Sequence, residues 1–141
     1  MNLKFSNIVM KSFYLYLIML FIFSSANSKD PHDDNLVGKN LICFNESFSV
    51  EDWGIKFLEN KKVKLFSLEK TMYEIYQYPR SYRTNLRNII IMKLGKIEYV
   101  INRKRLVFGN KQCKIVKGDP LVLLQERVKD LKYKRKKGNK I

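Results

Sequence analysis

The sequence predicts a mainly β protein: a small antiparallel meander of seven or eight strands, forming a barrel or sandwich, with an amphipathic helix at its C-terminal end. Three observations predict this class. Residues 88–108, NIIIMKLGKIEYVINRKRLVF, contain three apolar segments separated by two short turn segments. Two cysteines, Cys43 and Cys113, lie near the first and the last predicted strands. A helix-start pattern with an apolar stripe at helical spacing appears only after residue 118.

Residues 1–28 have the layout of a secretory signal. A basic start precedes an uninterrupted apolar run at residues 13–23, and small residues offer cleavage after Ala26 or Ser28. The run is shorter than the ~20 residues that a membrane-spanning helix needs, which favours cleavage over the alternative, an uncleaved inner-membrane anchor. We therefore expect an exported protein, periplasmic or extracellular, with one small domain after the signal.

A flexible polar leader is expected at residues 29–37, where Pro31 and the only histidine, His32, lie among aspartates. The β-domain is predicted to cover residues 38–118. Its first strand lies at residues 41–44, which are uniformly apolar. We expect the leader to be solvated and to hold no metal site.

The second predicted hairpin follows a period of two. Apolar residues alternate along residues 53–58, residues 60–61 supply a turn, and residues 63–68 form the returning strand. Trp53 is the only tryptophan, and tryptophan is highly buried on average. We therefore expect Trp53 to anchor the core; an exposed binding platform is the alternative.

Aromatic residues dominate residues 71–78, TMYEIYQY, which we predict to be a strand ended by Pro79; a helix over residues 68–76 is the alternative. Residues 80–87 are then expected to form a solvated loop in which arginines follow tyrosines. Arginine beside aromatic rings is used on surfaces that bind single-stranded nucleic acids, because the guanidinium pairs with phosphate while the ring stacks. The same pairing suits the carboxylates of anionic glycans, so this loop is a candidate anion-binding segment.

The centre of the predicted sheet is a meander. Ile97, Tyr99 and Ile101 share one face of a strand and are expected to point into the core. Gly95 supplies the positive φ that a tight hairpin needs before this strand. Residues 103–105, Arg-Lys-Arg, form a charged turn after it.

The cysteine count predicts a disulfide. An exported protein with only two cysteines has one possible pairing, Cys43 with Cys113, and no CxxC spacing that would favour the alternative of a redox site. Closing a loop of about 70 residues contributes ~4 kcal/mol in the chain-entropy account of disulfide stabilisation. The bond is expected to fasten the first strand to the last.

The C-terminal segment begins with a helix-start signal, in which Asp119 is the N-cap and Pro120 takes the first helical position. An apolar stripe follows at helical spacing: Leu121, Leu124, Val128 and Leu131. We predict a helix at residues 119–133 packed on the sheet and a disordered basic tail at residues 134–141. The alternative is a surface-seeking element that brings the stripe and the cationic end to an anionic membrane.

The positive charge is large for so small a domain. The signal removes Lys4 and Lys11 and no acid, which leaves 26 basic against 13 acidic side chains, a net charge of +13. This excess indicates an anionic partner, unless it reflects the composition of an AT-rich genome. The candidate anion-binding residues are Arg80, Arg83, Arg87, Arg103, Arg105, Lys134, Arg135, Lys136 and Lys137.

Several classes of chemistry lack their residues. With no histidine after residue 36, a Ser-His-Asp triad, a Cys-His pair and a histidine-ligated zinc site have no central component. The glycines are scattered and form no phosphate loop. We therefore expect no catalytic residue, metal or cofactor. A carboxylate-based hydrolase would need two facing acids, and the available ones are Asp52, Glu59, Glu69, Glu74 and Glu98.

Four segments carry a resemblance: a GK-x-LIC opening, a WGI-x-F strand, a Y-x-INR-x-x-L hairpin and a late cysteine. Their residues are Gly38, Lys39, Leu41, Ile42, Cys43, Trp53, Gly54, Ile55, Phe57, Tyr99, Ile101, Asn102, Arg103, Leu106 and Cys113. Over residues 38–116 this arrangement resembles small exported uncharacterised proteins of AT-rich bacteria. The resemblance implies a bacterial envelope setting and transfers no functional residue. In architecture the chain is also similar to periplasmic lysozyme-inhibitor and lipocalin-like barrels, although its positive charge suits lysozyme, usually basic itself, poorly.

These observations together predict a non-enzymatic exported protein that binds an anionic surface or ligand, such as a membrane surface or an anionic polymer. The alternative is a protein-binding module, for example an inhibitor of an envelope enzyme, that uses the tyrosine-rich edge. Nucleic acid is a less favoured partner.

Overall fold

The computed structural model describes residues 34–138, which form a nearly closed antiparallel β-barrel with one helix on its outer surface. The elements are β1 (Asn40–Cys43), β2 (Asp52–Leu58), β3 (Lys62–Glu69), β4 (Glu74–Thr84), β5 (Asn88–Lys93), β6 (Lys96–Asn102), β7 (Val107–Phe108), β8 (Lys111–Gln112), β9 (Lys114–Val116) and α1 (Pro120–Gly138). The predicted signal, His32 and residues 139–141 lie outside the described residues. The mainly β class is confirmed.

The described strands number nine, where the sequence predicts seven or eight. The strand order is β8-β7-β6-β5-β4-β3-β2-β1-β9, a meander in which every neighbouring pair is antiparallel. The extra strand arises because the last predicted strand is divided by Cys113 into β8 and β9. β8 pairs with β7 at one edge of the sheet and β9 pairs with β1 at the other. One continuous segment therefore contacts both edges and nearly closes the barrel.

The predicted disulfide is confirmed at this closure. Cys43 at the end of β1 is bonded to Cys113, and both side chains are buried. The bond spans a sequence separation of 70 residues. In the chain-entropy account it contributes about 4 kcal/mol to stability.

The strands near the helix are apolar on both faces, because they are covered on both sides. In β1, Leu41 and Cys43 belong to the barrel interior, whereas Ile42 packs under α1 with Leu124 and Leu131. The predicted helical stripe is thereby confirmed as a packing surface. Gly54 permits the close approach, since a Cβ there would lie 2.8 Å from the Cβ of Pro120.

The N-terminus of α1 is also as predicted. A side-chain oxygen of Asp119 accepts a hydrogen bond from the backbone N–H of Leu121 at 2.9 Å, which is the geometry of an N-cap. The C-terminal boundary is wrong in the prediction: α1 continues to Gly138, so that Lys134 to Lys137 are helical where the sequence predicted a disordered tail. The last apolar contact with the barrel is made by Leu131, and the helix extends beyond it as a basic end.

Strand β4 corrects a second boundary. The sequence predicted a strand ended by Pro79 and a loop from Arg80, but β4 runs through Pro79 to Thr84. β4 pairs with β3 along most of its length but with β5 only from Ser81 onward. The missing N–H of Pro79 faces this unpaired side, because the N–H of Tyr82, three residues later, points the other way toward Lys61. Proline therefore removes no ladder hydrogen bond here.

The predicted inward face of β6 is correct in part. Ile101 is fully buried and Tyr99 packs against the core, but Ile97 is 57% exposed. The pairing of β5 with β6 shifts register between Ile91 and Met92, which leaves Glu98 as an extra residue in β6. A bulge of this kind changes the face on which the preceding side chain lies.

Two further expectations concern the ends of the core. Trp53 is buried and packs in the barrel interior, which confirms it as a core anchor.

The leader was predicted to be flexible through residue 37, but its described part is anchored. Leu36 is buried, and its N–H donates to the hydroxyl of Tyr82 at 3.1 Å. The backbone N–H of Asp34 donates to Thr84 Oγ1 at 2.6 Å.

Candidate functional site: a basic depression at one end of the barrel

The loops of the barrel fall into two groups, because successive strands run in opposite directions. We call the end that carries the β2–β3, β4–β5 and β6–β7 connections the lower end, and the opposite end the upper end. Helix α1 begins at the lower end, after β9, and its last turns reach Tyr73 in the β3–β4 loop at the upper end. The positions of the predicted anion-binding residues follow from this division.

Two asparagines shape the loops at the lower end. Asn85 Oδ1 accepts hydrogen bonds from the N–H groups of Arg87 and Asn88, at 3.0 and 2.8 Å. Asn102 Oδ1 accepts from the N–H groups of Lys104 and Arg105, at 3.1 and 2.9 Å. Such side-chain-to-backbone bonds form tight turns and free the following side chains to point outward. The turns are therefore held in place by their own residues.

The two loops lie side by side because Asn88 pairs with Asn102 where β5 begins and β6 ends. The N–H of Arg103 donates to the carbonyl oxygen of Arg87 at 2.9 Å. The guanidinium of Arg103 donates to the carbonyl oxygen of Asn85 at 2.8 Å and to the carboxylate of Asp34. Arg103 thus joins the leader and both loops into one unit.

A depression of about 700 Å³ lies over this unit, and we call it the basic depression. Its lining residues are Arg87, Arg103, Lys104, Arg105, Asp34, Leu86 and Asn102. The side chains of Arg87, Lys104 and Arg105 are exposed, and within residues 34–138 they make no ion pair with an acid. The fold therefore brings together three of the predicted arginines and adds Lys104, which the sequence placed in the same turn but not among the candidates.

Arg80 does not belong to this group. Its guanidinium forms a two-pronged ion pair with Glu98 and lies over the ring of Tyr78, 5.6 Å from the ring centroid. This hydrogen-bonded pairing holds the pKa of Glu98 below its ordinary value and raises the pKa of Arg80 above its own. Its third contact is to the carbonyl oxygen of Pro79, at 2.9 Å. Arg80 is therefore a structural residue, whereas Arg83 is exposed on the outer face of β4.

The remaining candidates lie at the other end of the molecule. Lys134 pairs with Asp130 at 3.1 Å, and Lys137 lies over the ring of Tyr133. Arg135 donates to the hydroxyl of Tyr73 at 3.5 Å, and with Lys136 it borders a shallow depression of about 290 Å³. The nine predicted residues thus do not form one patch: Arg87, Arg103 and Arg105 lie at the lower end, Arg80 and Arg83 lie on β4, and the other four lie on the last turns of α1.

The sequence reasoning missed a buried charge network at the upper end. Asp52 is fully buried and contacts the ammonium of Lys70 at 2.9 Å and the guanidinium of Arg127 at 3.2 Å. Lys70 also donates to the carbonyl oxygens of Asn45 and Ser47. No local sequence pattern predicts this network, because its members lie in the β1–β2 loop, at the ends of two strands and in the helix. It connects the β1–β2 loop to α1.

Four of the five acids considered for hydrolytic chemistry have separate partners. Asp52 lies in the buried network, and Glu98 is paired with Arg80. Glu69 accepts hydrogen bonds from Thr71 and Met72 within its own turn, which lower its pKa, and Glu74 accepts from Tyr76. Among residues 34–138 there is also no group of three or more His, Cys, Asp or Glu side chains that would hold a metal ion.

No protein-family model, curated protein or solved structure matches the chain. The resemblance to small exported bacterial proteins therefore stays a prediction. Within residues 34–138, no helix has the length and apolar character needed to cross a membrane. The disulfide indicates an oxidising environment, which is the environment of exported proteins.

Proposed function

We propose that this chain is an exported, non-enzymatic protein, periplasmic or extracellular, that binds an anionic surface or ligand at the basic depression. The observation that carries the proposal is the convergence of Arg87, Lys104 and Arg105, all exposed and without acidic partners in the described chain, around one concave surface. Arginine forks match carboxylate and phosphate groups in two-pronged geometry, so either group suits this site.

The rigidity of the site supports the same proposal. The backbone that carries the three cations is held by the Asn85 and Asn102 side chains and by the bond between Arg103 and Arg87. A preorganised loop loses less conformational entropy on binding than a flexible one. An extended anion, such as a polymer or a layer of lipid headgroups, would contact several of these cations at once.

The basic end of α1 is a weaker candidate for the primary site. The apolar stripe that would enter a membrane packs on the barrel instead, with Leu124 and Leu131 buried. Three of its cations also have partners, since Lys134 pairs with Asp130, Arg135 contacts Tyr73 and Lys137 lies over the ring of Tyr133. The helix end adds to the positive field that attracts anions at long range.

The test compares two triple variants with the same change of charge. Arg87→Gln/Lys104→Gln/Arg105→Gln neutralises the basic depression, and Lys134→Gln/Arg135→Gln/Lys136→Gln neutralises the helix end. Binding to heparin and to vesicles of anionic or neutral lipid is measured at low and near-physiological salt. We expect the first variant to lose most of the salt-sensitive binding and the second to retain most of it. Equal losses in both variants would refute a localised site.

A protein partner is the second candidate, supported by the unpaired half of β4. The side of Glu74 to Arg80 that faces away from β3 has no neighbouring strand among the described residues. An extended segment of a partner would add to this edge through backbone hydrogen bonds. By the alternation that places the missing donor of Pro79 outward, the N–H of Gln77 also points outward.

Gln77→Pro tests this second candidate. Proline at residue 77 removes an outward donor, as Pro79 already does two residues later, so the fold is expected to persist. Salt-tolerant binding to a partner protein that is lost in this variant supports strand addition. Binding that survives the change excludes this edge as the contact.

A further inference from the structure

A second, apolar cavity lies beside the basic depression. It measures about 150 Å³ and is lined by six apolar side chains, among them Leu36, Leu41, Phe57 and Leu106, and by two basic ones, Lys39 and Arg103. Arg103 also lines the basic depression. The two cavities are therefore adjacent and share one guanidinium.

The walls of this apolar cavity are of two kinds. Leu41 and Phe57 are almost fully buried members of the barrel core. Ile115, which also lines the cavity, is 60% exposed and belongs to its outer wall. The cavity thus leads from solvent toward the core. A volume of about 150 Å³ accommodates about five methylene groups, if each takes roughly the ~30 Å³ of a water molecule.

The cations beside the cavity are able to take a further anion. The guanidinium of Arg103 has five N–H donors, and its contacts to Asn85 and Asp34 use two of them. Lys39 is exposed, and its ammonium has no partner within residues 34–138. The carboxylate of Asp34, already seated on Arg103, is an internal example of the group that this position binds.

We propose that the lower end binds an amphiphilic anion, with a short acyl or alkyl chain in the apolar cavity and a carboxylate or phosphate head on Lys39 and Arg103. The assignment of an anionic head group rests on the proposed function. The assignment of the acyl or alkyl chain rests on the apolar cavity alone. The inference therefore adds a size limit of about five carbons beyond the head to the class of ligand.

The first experiment is a calorimetric titration of the protein with hexanoate, hexyl phosphate, acetate and hexanol. Each buried methylene is worth about fourfold in affinity, so acetate, with four fewer, should bind about 200-fold more weakly than hexanoate. Hexanol lacks the charge and should also bind more weakly. The comparison of hexanoate with hexyl phosphate identifies the preferred head. Equal affinities for acetate and hexanoate would overturn the proposal.

Two variants locate the site. Ile115→Trp adds bulk at the outer wall of the cavity, at an exposed position that tolerates substitution, and should weaken hexanoate at least tenfold. Lys39→Gln removes one cation and should weaken hexanoate but not hexanol. Its matched control is Lys93→Gln, an exposed lysine at the upper end, which should leave both titrations unchanged. Hexanoate binding that is insensitive to both Ile115→Trp and Lys39→Gln would place the ligand elsewhere and overturn the proposal.

The failure of this inference is distinguishable from failure of the proposed function. Salt-sensitive heparin binding without any preference for hexanoate over acetate would leave the anion site standing and remove the acyl cavity. Hexanoate binding lost in Ile115→Trp, without binding to heparin or anionic vesicles, would support the cavity and remove the surface-binding function.

Discussion

Arginines on a strand and on the helix differ from those on the lower loops in what surrounds them. On β4 and α1, Arg80 is held by Glu98 and Tyr78, and Arg127 is held by the buried carboxylate of Asp52 and lies over the ring of Phe44. At the lower end, Arg87 and Arg105 are exposed on loops and have no acidic partner in the described chain. The same side chain is part of the fold in one region and is available to a ligand in the other.

The comparison teaches that the density of charge in a sequence does not identify a binding site. The prediction that selected Arg80 and Arg87 used the same argument for both, since both follow tyrosines in one basic segment. Glu98 forms the ion pair that makes Arg80 part of the fold, and it is 18 residues from Arg80 in the sequence. An ion pair with a buried or half-buried partner contributes to the fold, whereas an unpaired exposed cation contributes little to stability.

The largest expected effect is on the buried charge network around Asp52. Asp52→Ala leaves Lys70 buried without its counter-charge and removes a partner of Arg127, which should cost about 3–5 kcal/mol in the free energy of unfolding. The double variant Asp52→Asn/Lys70→Met removes both charges and should cost clearly less. Urea denaturation measures both. Equal losses would show that the charge pairing is not the origin of the effect.

The next effect is that of the half-buried ion pair between Arg80 and Glu98. Arg80→Gln should lower the free energy of unfolding by about 1 kcal/mol, because the pair with Glu98 is two-pronged and partly shielded from solvent. Arg83→Gln is the matched control, on the same strand but exposed. Its effect should be smaller. If denaturation gives the same loss for both variants, Arg80 is no more structural than Arg83.

The pH dependence of stability should follow from the same pairing. The Arg80 guanidinium lowers the pKa of Glu98, and the hydrogen bond from Lys56 lowers the pKa of Asp119, so folding favours both ionised carboxyls. Their contribution is present above the unfolded values near 4.5 and 3.8 and is lost as the pH falls through the lower folded values. Urea unfolding between pH 3 and 6 measures the slope, which Glu98→Gln should reduce. An unchanged slope would contradict the assignment.

The smallest effect on stability is expected at the lower end. Arg87→Gln/Lys104→Gln/Arg105→Gln should change the free energy of unfolding by less than about 0.5 kcal/mol per substitution, because these side chains are exposed and unpaired with acids in the described chain. The same variant should lose anion binding. A large destabilisation, measured by denaturation, would mean that these cations belong to the fold and would remove the contrast with Arg80 and Arg127.

The sequence by itself determined most of the local structure of this protein. The alternation of apolar residues located the strands of the β-domain, and the Asp119-Pro120 pair located the helix start. Gly95, with φ of 76°, occupies the hairpin turn that the sequence assigned to it. These features depend on residues a few positions apart, so they are present in the sequence as patterns.

The tertiary structure decided which of the charges are free. It extended β4 through Pro79, nearly closed the barrel with a segment divided at Cys113, and distributed the nine candidate cations over the lower loops, β4 and the end of α1. It also buried Asp52 with Lys70 and left Arg87 and Arg105 without acids in the described chain. The physical reason is that ion pairing depends on distance through space. Arg80 and Glu98 are 18 positions apart and Asp52 and Arg127 are 75 positions apart, so each pair meets only in the folded chain.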